Sequence, residues 1–467
     1  MVEVKSVSLT YQEKEEVLQN LSLSVNEGEC ILLTGRSGSG KSSVINSING
    51  LAARYDGATI EGEVVVSGRD VRALELYEIS MLVSSVFQNP KTHFFNVNTT
   101  MELLFYLENI GLSREKMEER LRDTLAVFPI AHLLGRDIFQ LSGGEKQILC
   151  IAASYIAGTG VIVLDEPSSN LDEENIAVLS EMLQRLKSKG ITLIICEHRL
   201  YYLMDVADRV FLLQDGVIKG EYAVEDFKRL GQKELNGLGL RDTKRTKLNV
   251  PPVGGEGNLN IKKMVFAFPG AGSRLQIKDV RFSTGTIVGI VGANGFGKST
   301  FVRCLIGVEK KSDDEIYLDG KKLSKKERLK MSSLVMQDVN HQLFTDSVTD
   351  EIGLGIKNAE KSKVEDVLKS LDLFDMKDRH PMSLSGGQKQ RVAVASVVYK
   401  NSKLVFFDEP TSGMDYANMM KISNLIKSCK RPDNIIFIIS HDMEFLNETA
   451  DCVMDITQFH EPHQGTA

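Results

Sequence analysis

Gly35-Arg36-Ser37-Gly38-Ser39-Gly40-Lys41-Ser42 stands between an apolar, strand-like run and a helix-like segment. Gly292-Ala293-Asn294-Gly295-Phe296-Gly297-Lys298-Ser299 repeats the pattern. In a loop of this kind the backbone N–H groups point inward at phosphate oxygens, and the glycines permit their approach. Gly35, Ser37, Gly38 and Gly40, and Gly292, Asn294, Gly295 and Gly297, are therefore expected to cradle a nucleotide, with Ser43 and Thr300 just beyond them. Lys41 and Lys298 supply positive charge to the β- and γ-phosphates, and Ser42 and Ser299 offer a hydroxyl to a magnesium ion. From average residue usage, two such motifs arise by accident in this length with a probability on the order of 10⁻³ or less.

Outward from the two loops, further segments recur in the same order. Leu141-Ser142-Gly143-Gly144 is answered by Leu384-Ser385-Gly386-Gly387, Leu164-Asp165-Glu166-Pro167 by Phe407-Asp408-Glu409-Pro410, and Glu197-His198 by Ser440-His441. Lys41 and Lys298 lie 257 residues apart, whereas Ser142 and Ser385, Asp165 and Asp408, and His198 and His441 all lie 243 apart. The first half therefore carries its extra residues between the phosphate loop and the Leu-Ser-Gly-Gly segment. A length of 467 residues already implies more than one core, and the repeat makes it two copies of one domain.

Each half reads as alternating strands and helices. The apolar runs at 161–164, 193–196, 404–407 and 435–439 have the character of parallel strands buried on both faces, and 175–187 and 417–427 have a helical period. The fold class is α/β, built from βαβ units. Residues 101–134 lack strand-like runs and read as a helical insertion, with 348–374 as its counterpart. The boundaries expected are a first domain over 1–228, a linker over 229–260, a second domain over 261–457 and a tail over 458–467. The linker is charged, contains Pro251-Pro252 and Gly254-Gly255, and has little to bury. About 30 flexible residues reach roughly 30 Å, enough for the halves to pack face to face.

An apolar strand ending in Asp then Glu places one carboxylate at a magnesium shell and the next beside an attacking water. Asp165 and Asp408 are expected at the metal, and Glu166 and Glu409 as general bases. His198 and His441, each just past a further strand, are expected to reach the γ-phosphate. Ser142, Gly143 and Gly144, like Ser385, Gly386 and Gly387, open a helix whose N-terminus favours an anion. No second phosphate needs binding within the same half, so this helix is expected to address a nucleotide held by the other half.

Composition limits the partners. The net charge of −7 argues against a dedicated nucleic-acid surface. No apolar stretch approaches the roughly 18 residues of a membrane span. The start, Met-Val-Glu-Val-Lys, lacks a secretory layout, so the chain is expected to stay in the cytosol. Six scattered cysteines form no C-x-x-C pair, and neither disulfide nor metal roles are expected for them. His460 and His463 in a polar tail read as disorder.

Phosphate loop, Leu-Ser-Gly-Gly, hydrophobic-Asp-Glu and histidine, in that order and twice, resemble the ATPase subunits of ATP-binding cassette transporters. The resemblance covers nearly the whole chain outside linker and tail. It implies two tandem P-loop NTPase domains, each a RecA-like core with an antiparallel β subdomain and a helical signature subdomain, and it implies ATP and Mg²⁺. Gln88 and Gln337 match the glutamine that links metal and water to a membrane partner. Asp172 and Asp415 match a loop that contacts the opposite half. Tyr11 and Phe268 match the aromatic that stacks on adenine, a contact worth about 1–3 kcal/mol.

A narrower resemblance is to energy-coupling factor importers of vitamins and transition-metal ions. Their glutamine leads into a Pro-acidic-x-Gln-apolar-apolar helix beside a groove for the membrane scaffold. Gln88-Asn89-Pro90-Lys91-Thr92-His93-Phe94-Phe95 keeps the proline and both apolar positions. Gln337-Asp338-Val339-Asn340-His341-Gln342-Leu343-Phe344 keeps Gln342 and the apolar pair. The triplet Glu197-His198-Arg199 also resembles fused ATPases of this group. The implied partners are a T-type scaffold and an S-type substrate-binding subunit in the membrane, with the chain peripheral on the cytoplasmic face. The halves would pair with each other or with a second chain. Phe296 and Glu145 depart from the family pattern, and both are expected at one composite site that turns over more slowly. A soluble twin-cassette ATPase acting on ribosomes or DNA is the alternative, and a nucleotide sensor without catalysis is disfavoured by the presence of Glu166, Glu409, His198 and His441.

Overall fold

The computed structural model describes residues 1–11, 16–90, 93–169, 171–268, 273–356 and 359–462. Lys91, Thr92 and His463 lie outside them. Two compact units result, one of Met1–Arg245 with Gly413–Asn418, the other of Thr246–Ser412 with Met419–Ala467.

In the first unit a six-stranded sheet runs Val217–Ala223, Arg209–Gln214, Cys30–Gly35, Thr192–Cys196, Val161–Asp165, Val83–Val86. All its pairings are parallel except that of the edge strand Val217–Ala223. Leu32, Ile162, Leu164, Leu193 and Ile195 belong to one core, and Ile31, Leu33, Val161, Val163 and Ile194 to another. Alternate residues of one strand thus feed opposite faces, and both faces are covered, which is why these strands read as unbroken apolar runs. Each such side chain taken from water contributes about 1.5–3 kcal/mol. A second, antiparallel sheet runs Glu16–Val25, Val2–Thr10, Thr59–Val66, Arg69–Asp70. Two helices, Thr99–Asn109 and Arg114–Val127, form the expected insertion.

The second unit repeats the plan. Its parallel sheet runs Ser332–Val335, Leu404–Asp408, Ile435–Ile439, Thr286–Val291, Cys452–Asp455, the same order by position as in the first unit without the extra edge strand. The insertion is shorter, Val348–Gly353 and Lys361–Ser370. Its antiparallel sheet runs Lys321–Lys322, Asp313–Leu318, Leu259–Ala267, Ser273–Phe282, His460–Pro462. Among the described residues no helix is long and apolar enough to cross a membrane.

Two segments differ from the sequence reading. The stretch 229–260 is not bare of buried surface: Gln232–Leu238 is a helix closed by Gly239 in the left-handed region, and Leu235 and Leu240 enter the first unit's core. Further on, Val253 N donates to Val453 O at 2.9 Å and Val453 N to Pro251 O at 2.8 Å. The charges of this stretch hid a short apolar stripe. The tail is also ordered where it is described, because His460, Glu461 and Pro462 pair with Leu275, Arg274 and Ser273.

Candidate functional site

The strand Cys30–Gly35 delivers the first phosphate loop, and the helix Lys41–Ile48 begins at its end. Gly40 has φ +99°, and a Cβ there would lie 2.7 Å from Leu18 Cδ2, so only glycine fits. Lys41 is 5% exposed, its Nζ donating to Gly35 O at 3.1 Å and Arg36 O at 3.0 Å. Burial holds its ammonium below the usual lysine value. A lysine ammonium held at a glycine-rich loop that opens a helix is an arrangement that accepts a polyphosphate. Tyr11 donates its hydroxyl to Ser43 Oγ at 3.3 Å, so its ring borders the same helix.

Asp165 and Glu166 stand at the end of the neighbouring strand. Burial raises the Asp165 carboxyl, opposed by a hydrogen bond with Ser42 and by Lys41. Asp165 Oδ1 is buried without a hydrogen-bond partner. An unsatisfied carboxylate oxygen joined to a serine hydroxyl is a hard oxygen set, and it fits a magnesium ion. Glu166 adopts φ +45°. Its N–H donates to Cys196 O at 2.8 Å, and Gln88 Nε2 donates to its Oε2 at 2.6 Å. Burial, then the charges of Glu197 and Asp165, push Glu166 up to about 8. His198 Nε2 lies 3.5 Å from both Glu166 Oε1 and Ser37 Oγ. Burial holds that imidazole well below its ordinary value, hence neutral. Lys41, Ser42, Gln88, Asp165, Glu166 and His198 are thus brought together.

The second unit builds the same cluster. Lys298 Nζ donates to Gly292 O at 2.8 Å, Ala293 O at 3.1 Å and Asn294 Oδ1 at 3.4 Å. Ser299 bonds Asp408, whose carboxyl burial raises. Glu409, also at φ +45°, donates its N–H to Ile439 O at 2.9 Å. His441 Nε2 lies 3.0 Å from Asn294 Oδ1 and 3.6 Å from Glu409 Oε1. Thr300 continues the helix Lys298–Ile306, and Gln337 follows the strand Ser332–Val335.

The Leu-Ser-Gly-Gly residues stand at the starts of other helices. Ser142 caps Gly143–Ile156 and Ser385 caps Gly386–Lys400, each by a capping box. Glu145 Oε2 accepts from Ser142 N at 2.7 Å, and Gln388 Oε1 accepts from Ser385 N at 2.9 Å. Glu145 and Gln388 therefore do one job, and the departure at Glu145 is absorbed by the cap; Glu145 adds an ion pair with Arg136 at 2.6 Å. Asp172 likewise caps Glu173–Ser188.

Three groups of supporting residues were given no structural role from sequence. Glu197 is 1% exposed and accepts from Ser168 N and Oγ, Tyr202 Oη, His198 N and Arg199 N at 2.7–3.2 Å. Ser440 holds that position in the second unit, and Asp442, on the other side of the histidine, takes the Thr411 hydroxyl at 3.1 Å. His93 Nε2 accepts from Phe87 N at 2.8 Å, and Gln342 Oε1 accepts from Met336 N at 3.0 Å, each fixing the residue before a site glutamine. Burial pushes His93 down to about 4, so the acceptor stays available. Buried Glu102 accepts from Phe95 N and Asn96 N, and buried Glu351 from Phe344 N and Thr345 N. The signal was present: Gln88 to Gln337, His93 to Gln342 and Glu102 to Glu351 share one spacing of 249 residues.

A family model described as ABC transporter matches residues 18–169 and 275–412, more than half of the chain. An ABC transporter ATP-binding protein of Treponema denticola is 40% identical over 97% of this chain and 95% of its own length. An HMP/thiamine import ATP-binding protein of Bacillus subtilis is 32% identical over 97% of this chain and 89% of its own. Among solved structures, an RNase-L inhibitor has a TM-score of 0.62 at 22% identity, covering 98% of this chain and 89% of that one. A ribosome-bound archaeal Pelota and ABCE1 model gives 0.66 at 21%, covering 96% and 75%. At these identities the structural match is one of fold.

Proposed function

This chain belongs to the ABC transporter family as a tandem, two-cassette ATPase, and from that premise we propose that it is the motor subunit of an importer of the energy-coupling factor type. ATP hydrolysis in its cassettes would drive membrane subunits that take up a vitamin or a metal ion.

One observation carries the reading. Downstream of each site glutamine a buried glutamate displays a phenylalanine to solvent, Phe95 at 77% and Phe344 at 67% exposure. Phe94 is part-buried and Leu343 buried beside them, so one residue of each apolar pair anchors while the other projects. Phe95 stacks on Phe105 with centroids 5.0 Å apart. Both border a groove of about 410 Å³ lined also by Leu76, Phe87, His93 and Tyr106. Exposed aromatic surface at a groove's rim suits a helix of another protein. The occupant assigned here is a helix from the cytoplasmic side of an integral-membrane scaffold, which Gln88 would connect to Glu166. The likeness to an HMP/thiamine import ATP-binding protein over nearly the full length supports the same reading.

Magnesium belongs to this proposal: Ser42 and Asp165, and Ser299 and Asp408, would hold it with Gln88 and Gln337 nearby, where it would neutralise phosphate charge. Glu166 and Glu409 would orient the attacking water and take its proton. His198, as a neutral imidazole, and His441 would contact the γ-phosphate. The chain would then sit peripherally on the cytoplasmic face of the membrane.

Affinity purification of the tagged chain from detergent-solubilised membranes tests this. Recovery with a small integral-membrane scaffold and a substrate-binding subunit is expected. Recovery with ribosomes and without membrane subunits would overturn it in favour of a soluble twin-cassette ATPase.

A further inference from the structure

The stretch between the repeats does more than join them. After the helix Gln232–Leu238 the chain turns through Gly239, at φ +80°, and Leu240 is buried in the first unit's core. Arg36, inside the first phosphate loop, reaches this turn: its Nη2 donates to Gly237 O at 3.2 Å and its Nε to Leu238 O at 3.3 Å. A cation at the last carbonyls of a helix is favourable. A Cβ at Gly239 would lie 2.6 Å from Arg36 Nε, so the turn is built around that side chain. Ala293 stands where Arg36 does in the second loop, which carries no guanidinium at that place.

Two residues beyond Gly239, Arg241 is 7% exposed. Its Nε donates to Met414 O at 3.0 Å, and Tyr416 N donates to Gly239 O at 3.1 Å. Residues 413–418, which belong to the first unit, are thus held by the turn on both sides of Asp415. Asp415, 1% exposed, accepts from Ser37 N of the phosphate loop at 2.5 Å. At the other end Gly413 packs against the remaining parts of the cluster: a Cβ there would sit 2.9 Å from Glu166 Oε2 and 3.1 Å from Gln88 Nε2. One short segment therefore touches the phosphate loop and the Glu166 carboxylate at once, and the turn fixes where it sits. After burial and Lys41, the Arg241 charge also holds the His198 imidazole down.

We propose that Arg241 is a positioning residue for ATP hydrolysis at the first site, holding residues 413–418 so that Asp415 stays on the phosphate loop and Gly413 beside Glu166. Its action runs through the Met414 carbonyl and not through contact with the nucleotide. Misplacing a reacting group by about 1 Å costs on the order of 10²-fold in rate, so one buried bond here has leverage on turnover. The segment between the repeats is in this sense part of the first site. The inference rests on hydrolysis by the family and is independent of the import reading.

Steady-state ATPase kinetics of the full chain with Mg²⁺ and ATP, together with amide hydrogen exchange of the nucleotide-free chain, test it for Arg241→Ala and Arg241→Lys. Arg241→Ala should lower kcat about 10- to 100-fold with KM within about 3-fold of the parent. The peptides bearing Ser37 and Tyr416 should exchange faster, and the peptide spanning 292–299 should not change. Arg241→Lys, which keeps a cationic donor on a stem of similar reach, should restore most of both. Where Arg241→Ala does not fold, Gly239→Ala, which strains the same turn, takes its place with the same expectation. Unchanged kcat would overturn the assignment. So would a raised KM at unchanged kcat, or a fall in kcat with no change in exchange at Ser37 and Tyr416.

Discussion

Gln88 Nε2 donates to Glu166 Oε2 across 2.6 Å, and the residue before Gln88 is fixed by His93, which lines the apolar groove. The carboxylate best placed to activate water is thereby tied to a surface that a partner could move. Movement of the groove wall would reach Glu166 through one side chain and one backbone N–H.

Glu166→Gln keeps the shape and an acceptor for Gln88 but removes the base. ATP turnover should fall by about 10²–10⁴-fold at that carboxylate, the range of a general base. Glu409→Gln should cost less of the total rate, because the second loop, whose Phe296 lies against the His460 ring, is expected to turn over more slowly. Equal losses in a steady-state ATPase assay would remove the asymmetry.

Glu166 must be ionised to accept a proton, and its folded-state value is pushed up to about 8 by burial and by Glu197 and Asp165. The consequence is read on the stability of the nucleotide-free chain. Between the ordinary carboxylate range and pH 8 the folded chain holds a proton that the unfolded chain has released, so stability falls as pH rises through that window. Thermal unfolding across pH 5–9 checks this, and Glu166→Gln should flatten the contribution.

Glu197→Ala would strand three backbone and two hydroxyl donors in a buried site. A loss of at least about 2 kcal/mol is expected from unsatisfied donors alone. Tyr202→Phe removes a single bond to the carboxylate and should cost about 1.5–3 kcal/mol. Urea denaturation of both variants measures the difference.

Phe95→Asp and Phe344→Asp change exposed positions, so the loss of stability should not exceed about 1.5 kcal/mol, the worth of the Phe95–Phe105 stack. Recovery of the doubly substituted chain in the membrane fraction should fall tenfold or more. Unchanged membrane recovery would remove these residues from the docking surface.

The doubly wound core, the helical insertions and both clusters of Lys, Ser, Asp, Glu and His were legible because each rests on local spacing: loop glycines, an apolar strand ending in Asp-Glu, and a second copy to check against. The helix over Gln232–Leu238 was not, because its buried Leu235 sits among charges and its partners are distant in sequence. The strand at His460 escaped for a similar reason: three residues carry no periodicity, and pairing with Ser273–Phe282 alone orders them. The roles of Glu197, Glu102 and Glu351 emerge only with the backbone N–H groups that surround them, which lie on segments brought close by the fold.

The most direct measurement is ATP turnover by the full chain, alone and in complex with co-purified membrane subunits, for wild type and Gln88→Ala. The account predicts that the membrane subunits change the wild-type rate and that Gln88→Ala loses most of that change while complex formation persists. A rate indifferent to membrane subunits, or the same response with and without Gln88, would contradict it.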